Sequence, residues 1–218
     1  MVIDPFRLAI AFVPLAAYAL LLGLINLRRR PFVTTGGSDL TALGVALTGL
    51  VFVGPMELFR PEAATAQFGN YIWLFLLVFY WLWILLLVLV SRPRLVIYNI
   101  STEELHSVLA ETAGRMDPDA RWGGNHLTLP NLGVHLHLDS LDIMRNVTLA
   151  SSGSRQNLDG WRRLARELST ALGSIRVKSN PRAISLLLVS LLLLALSITQ
   201  MWSHPAELTQ AMREVFAY

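Results

Sequence analysis

Four stretches of this chain are apolar almost without interruption: residues 8–27, 40–56, 71–90 and 183–202. None of them carries Asp, Glu, Lys, Arg or His away from its edges. The hydrocarbon core of a bilayer asks a spanning helix for about 17–25 residues of this kind. A helix packed onto the core of a soluble protein keeps a polar stripe instead. The pattern therefore predicts four transmembrane helices, three within residues 1–91 and the fourth within 181–202. The second is the shortest, and Gly44, Gly49, Gly54 and Pro55 interrupt it. Ala17-Tyr18-Ala19 has the small-residue form of a signal-peptide cleavage site, yet the apolar run continues through Leu24 and Ile25. The first run thus reads as a retained helix.

Between the third and fourth runs the pattern changes. Leu95-Val-Ile-Tyr-Asn-Ile100 is a β-branched strand. Ser101-Thr-Glu-Glu104 is a capping box, in which a Ser hydroxyl and a Glu three residues later satisfy free amides at a helix start. Leu105, Val108, Leu109 and Ala113 carry the helical period to Met116, and Asp117-Pro118-Asp119 stops it. Short strands follow around Ala120–Trp122, His126–Leu129, Val134–Leu138 and Ile143–Ala150, broken by Gly123-Gly124 and Pro130–Gly133. A last helix shows Leu158, Trp161, Leu164, Ala165, Leu168, Ala171 and Leu172 as one stripe and ends at Gly173. Ile175 and Val177 are expected to add an edge strand. Residues 92–180 thus read as a small inserted α+β domain of order β-α-β-β-β-α, with both helices on one face of the sheet. Beyond the fourth run, residues 203–218 place Leu208, Met212, Val215 and Phe216 on one side of a helix starting at Pro205. That tail reads as an amphipathic helix on the outer membrane surface.

Small residues four apart, Ala19 with Gly23 and Ala42 with Ala46, suit close helix approach within the membrane. Tyr71 and Trp73 suit an interfacial belt, and Tyr80, Trp81 and Trp83 read as packing surface.

Composition agrees with the pattern. Charged residues make up 15% of the chain, against roughly 25% in soluble domains. Their placement sets an orientation. Arg28, Arg29 and Arg30 follow the first helix, Arg92 and Arg94 the third, while Arg176, Lys178 and Arg182 precede the fourth. The opposite ends hold only Arg7, Arg60 and Arg213. By the positive-inside rule the two termini face outward and the inserted domain is cytoplasmic, in a plasma (inner) membrane. The near-exclusive use of Arg over Lys suggests a bacterial source. Glu103, Glu104, Glu111, Asp117 and Asp119 break up any basic stripe, so nucleic-acid binding is not expected. There is no Cys, which excludes disulfides and thiolate metal sites. Charge-free apolar runs also weaken transport, because intramembrane charges usually mark ion pathways.

The candidate chemistry centres on His135-Leu-His-Leu-Asp-Ser140. In a strand, His135, His137 and Asp139 share one face. A hairpin through Pro130–Gly133 sets Leu129 opposite Val134, Thr128 opposite His135, and His126 opposite His137. A slip by one residue would bury polar groups and expose leucines. His126, His135, His137 and Asp139 then form one patch, and three imidazoles are a known zinc ligand set. The first five residues resemble the H-x-H-x-D-H motif of the metallo-β-lactamase family. Ser140 replaces its final His and no downstream ligands follow, so nothing of that family is carried over. The pattern favours a solvated sheet face over a zinc-like metal site, and no cofactor is expected. Arg162, Arg163 and Arg166 are candidates for contact with anionic lipid or a partner. Thr34-Thr-Gly-Gly-Ser38 reads as a linker, with Ser38 or Asp39 capping the second membrane helix. Phosphate binding there is set aside because no strand precedes it and no Gly-Lys-Ser/Thr follows.

The expected function is a non-enzymatic, multi-pass membrane protein that presents a cytoplasmic protein-interaction or scaffolding domain. Its partners are the lipid bilayer and a protein partner or a second copy of itself. The alternatives are a metal-dependent membrane enzyme using the His patch and an accessory transporter subunit.

Overall fold

A computed structural model of the chain describes residues 5–56, 68–69, 71–141, 145–153 and 156–203. The tail helix expected after Ser203 lies outside them. The chain divides into two compact units, one drawn from residues 1–22, 41–87 and 185–218, the other from 23–40 and 88–184.

The first unit is helical. Four helices are long and apolar enough to cross a membrane: α1 (Pro5–Leu27), α2 (Gly36–Val51, running on through a π-helical turn at Phe52–Met56), α3 (Tyr71–Val90) and α6 (Ala183–Ser203). Small residues do mark close approach, most tightly at Gly44 and Gly49, and Gly23 and Ala46 of the expected pairs are buried. A methyl group at Gly49 would overlap the Ile10 carbonyl oxygen, and one at Gly44 would press on Ile84. Ala42 is exposed, whereas Ala16 and Ala46 are buried. The Tyr80 hydroxyl donates to the Gly44 carbonyl at 2.7 Å, so its phenol is a tie between helices as well as packing surface. Leu74, Phe75, Phe79, Leu82, Leu86 and Leu89 stand exposed along α3. Apolar faces this extensive are rare on soluble monomers and suit contact with lipid.

The second unit is a two-layer α+β fold. β2 (Arg94–Tyr98) is followed by α4 (Thr102–Met116), then β3 (Arg121–Gly123), β4 (His126–Leu129), β5 (Val134–Leu141), β6 (Asn146–Ser151) and α5 (Leu158–Gly173). The sheet is antiparallel, in the order β1 (Phe32–Thr35), β2, β6, β5, β4, β3. Three features differ from the sequence expectation. Four strands stand between the two helices, at the four places expected, which is one more than the order β-α-β-β-β-α counts. Ile175 and Val177 form no strand; Val177 N donates once, to the Arg29 carbonyl at 3.1 Å. The sixth strand comes instead from the connection between α1 and α2: β1 (Phe32–Thr35) pairs with β2, setting Val33 opposite Ile97. Four residues of FVTT carry too little periodicity to announce a strand, and only the open edge of β2 gives their amides a partner.

Both helices cover one face of this sheet. Leu95, Ile97, Leu127, Leu129, Val134, Leu136, Leu138, Val147 and Leu149 meet Leu105, Leu109, Trp161, Leu164, Leu168 and Leu172 in one core. The capping box at Ser101 is complete: Glu104 N donates to Ser101 Oγ at 3.3 Å and Ser101 N to Glu104 Oε2 at 3.1 Å. Leu158 departs from its stripe and is 60% exposed, because it stands at the first position of α5, outside the packed turns. The segments bordering the apolar helices are tied into the same unit. The Asn99 side-chain amide donates to the Arg28 carbonyl, and Asn180 N donates to the Asn26 carbonyl at 3.1 Å.

Candidate functional site

The histidine patch is built by strand register. His126 faces His137, Thr128 faces His135 and Leu129 faces Val134. Burial of Leu127, Leu129, Leu136 and Leu138 leaves the alternate residues on the open face. The His126 and His137 rings are 5.8 Å apart between centroids. His137 Nε2 meets Asp139 Oδ2 at 2.9 Å, and His135 Nδ1 lies 3.4 Å from Thr128 Oγ1. The imidazoles are thus engaged separately, with Thr128, with Asp139 and with one another. Among the described residues, no three His, Cys, Asp or Glu side chains converge closely enough to hold a metal ion. The Asp139 side chain is 65% exposed, so this pair carries little stabilisation.

The arginines of α5 do not form one cluster. Arg162 pairs with Asp159 at 3.1 Å in the open. Arg163 and Arg166 border a groove of about 900 Å³ between α4 and α5, where Glu167 and Arg115 also stand. Mixed signs there favour no particular ligand charge.

A second cavity, of about 630 Å³, is more uniform. Arg92, Arg94, Arg162 and Arg166 line it, and its apolar wall includes Val88, Leu89, Leu158 and Trp161. Among the described residues, no Asp or Glu belongs to its lining. Among the described residues, Arg92, Arg94 and Arg166 have no carboxylate within ion-pair distance. Thr35, Gly36 and Gly37 complete the cavity at the start of α2. There Thr35 Oγ1 accepts from Ser38 N at 3.2 Å, so Thr35 caps this helix, rather than Ser38 or Asp39. Asp39 turns away, its carboxylate accepting the Tyr98 hydroxyl. The Arg94 side chain lies directly over Gly36, where any Cβ would overlap its Cγ and Nε. Glycine at this point lets the guanidinium stem lie against the helix start.

Of this cavity, Arg162 and Arg166 stand out in the sequence as candidate contacts, and Arg92 and Arg94 as basic residues beside the third apolar run. The two signals that could have led from them to the cavity are the Arg92-Pro-Arg94 step after α3 and the Gly36-Gly37 pair. A strand, β1, does run into Thr34–Ser38, contrary to the sequence expectation, while no Gly-Lys-Ser/Thr follows it. No family model, no curated protein and no solved structure matches the chain.

Proposed function

We propose that this chain is a multi-pass membrane protein whose α+β unit is held at the cytoplasmic surface as a non-enzymatic docking module. One observation carries the reading. The connection between α1 and α2 and the long insert between α3 and α6 belong to a single folded unit. In a four-helix protein with both termini outside, these two connections must lie on the same side of the bilayer. A sheet that takes strands from both satisfies that demand independently of the charge bias. Basic residues in both connections support the cytoplasmic assignment. Tethering at several points orients the unit and lowers the entropic cost of docking a partner. Its open sheet face, with His135, His137 and Thr148, offers the docking surface.

The absence of native cysteine makes topology testable. Single cysteines at Glu111 and Ser203, both exposed, are labelled with a membrane-impermeant maleimide in sealed cells. Labelling at Ser203→Cys alone is expected; labelling at Glu111→Cys overturns the orientation. Crosslinking in intact membranes should then recover a stoichiometric neighbour, another protein or a second copy, that Thr148→Arg abolishes. A protein recovered alone in both cases rules out the docking role.

A further inference from the structure

We infer that the cavity lined by Arg92, Arg94, Arg162 and Arg166 is a binding site for the phosphate headgroup of an anionic phospholipid. This inference rests on the membrane reading above. Among the described residues, three of its guanidiniums have no carboxylate partner and no acid belongs to the lining. Guanidinium forks match phosphate oxygens two at a time, which a point charge cannot do. The first-turn amide of α2 at Gly36 adds a donor of the same preference.

The apolar wall chooses between a lipid and a free anion. Leu158 is 60% exposed and Leu89 is 73% exposed, and both line this cavity. Trp161 lies behind them, its indole N–H already donated to Gln156 at 2.9 Å, so it offers the cavity ring surface only. An inorganic anion leaves these carbons in water, whereas a phospholipid covers them with its glycerol and upper acyl carbons. Leu89 and Val88 are also the last turn of α3, whose sequence is wholly apolar. The cavity therefore opens where an apolar helix gives way to Ser91-Arg92, the depth at which headgroup phosphates lie.

The test uses the full-length protein in a neutral detergent, with thermal unfolding followed as ligand is added. The probes are dihexanoyl phosphatidylglycerol, dihexanoyl phosphatidylcholine, glycerol 3-phosphate and a hexaglutamate peptide. Saturable stabilisation by phosphatidylglycerol is expected, with apparent affinity falling about tenfold in Arg92→Ala and again in Arg94→Ala. Arg121→Ala, an exposed arginine outside the lining, should bind as the parent does. Arg92→Ala removes a side chain with no described partner, so its fold is retained even if Arg94→Ala destabilises the α2 start. Equal stabilisation by phosphatidylcholine, by glycerol 3-phosphate or by hexaglutamate overturns the inference, as does indifference to Arg92→Ala. Carbonate extraction of membranes tests the membrane reading separately. Protein released by carbonate defeats that reading, while protein retained but blind to phosphatidylglycerol defeats only the lipid site.

Discussion

Trp161 donates its indole N–H to Oε1 of Gln156 at 2.9 Å, joining the first turn of α5 to the chain just before it. The same amide oxygen accepts His135 N at 3.3 Å, and Nε2 donates to the carbonyls of His135 at 3.0 Å and Ser152 at 2.6 Å. One side chain thus acts as an added strand residue beside β5 and as an anchor for the helix. Replacing it with Leu keeps the volume and strands these partners. Gln156→Leu should lower stability by about 2–3 kcal/mol, the cost of leaving several part-buried groups unsatisfied. Denaturant unfolding in detergent, read by tryptophan fluorescence, measures this; an unchanged midpoint would show that water replaces the amide freely.

Gly160 is buried, and a methyl group there would overlap the Leu132 carbonyl oxygen and crowd Val134. Backbone cannot yield as a side-chain tip does. Gly160→Ala should therefore cost about 1–3 kcal/mol, although alanine is the better helix former. A stability gain in the same unfolding measurement would contradict the close packing of α5 on the β4–β5 turn.

Asp117 is fully buried at the end of α4 and accepts from Asn131 N at 2.8 Å, Asn131 Nδ2 at 2.7 Å and Asp119 N at 3.0 Å. It fastens the helix end to the turn that sets the β4–β5 register. Asp117→Ala should destabilise by about 3 kcal/mol, because hydrogen bonds to a carboxylate are stronger than neutral ones. Hydrogen exchange at Leu127 and Leu129 amides should rise with it, and exchange confined to α4 would localise the effect elsewhere.

The contribution of β1 can be read by excision. A polypeptide of residues 92–180 leaves the β2 edge unpaired and removes the Arg28 carbonyl from Asn99. It should self-associate through that edge. Adding a peptide of residues 28–37 in trans should restore a monomer in sedimentation. A monomeric fragment that ignores the peptide would mean that β1 adds nothing to the fold.

On the open face, His137→Ala should change stability by no more than about 1 kcal/mol, since its contact with Asp139 is solvent-exposed. Added zinc should leave the unfolding temperature of the parent unchanged. A saturable zinc-induced rise that His126→Ala removes would instead establish a metal centre.

Much of this architecture is written in local pattern. Uninterrupted apolar length marks the four long helices, the Ser101 box starts α4, and alternating leucines determine which way the histidines face. Each of these follows from periodicity or from a partner three residues away, which the chain carries on its surface as a string. Two other features depend on residues far apart in the chain. Phe32–Thr35 is a strand only because β2 offers unpaired amides some sixty positions later. Arg94 and Arg166 line one cavity only because β1, β2 and α5 belong to one fold. Pairing and convergence of this kind are properties of packed surfaces, and no stretch of sequence contains both halves of them.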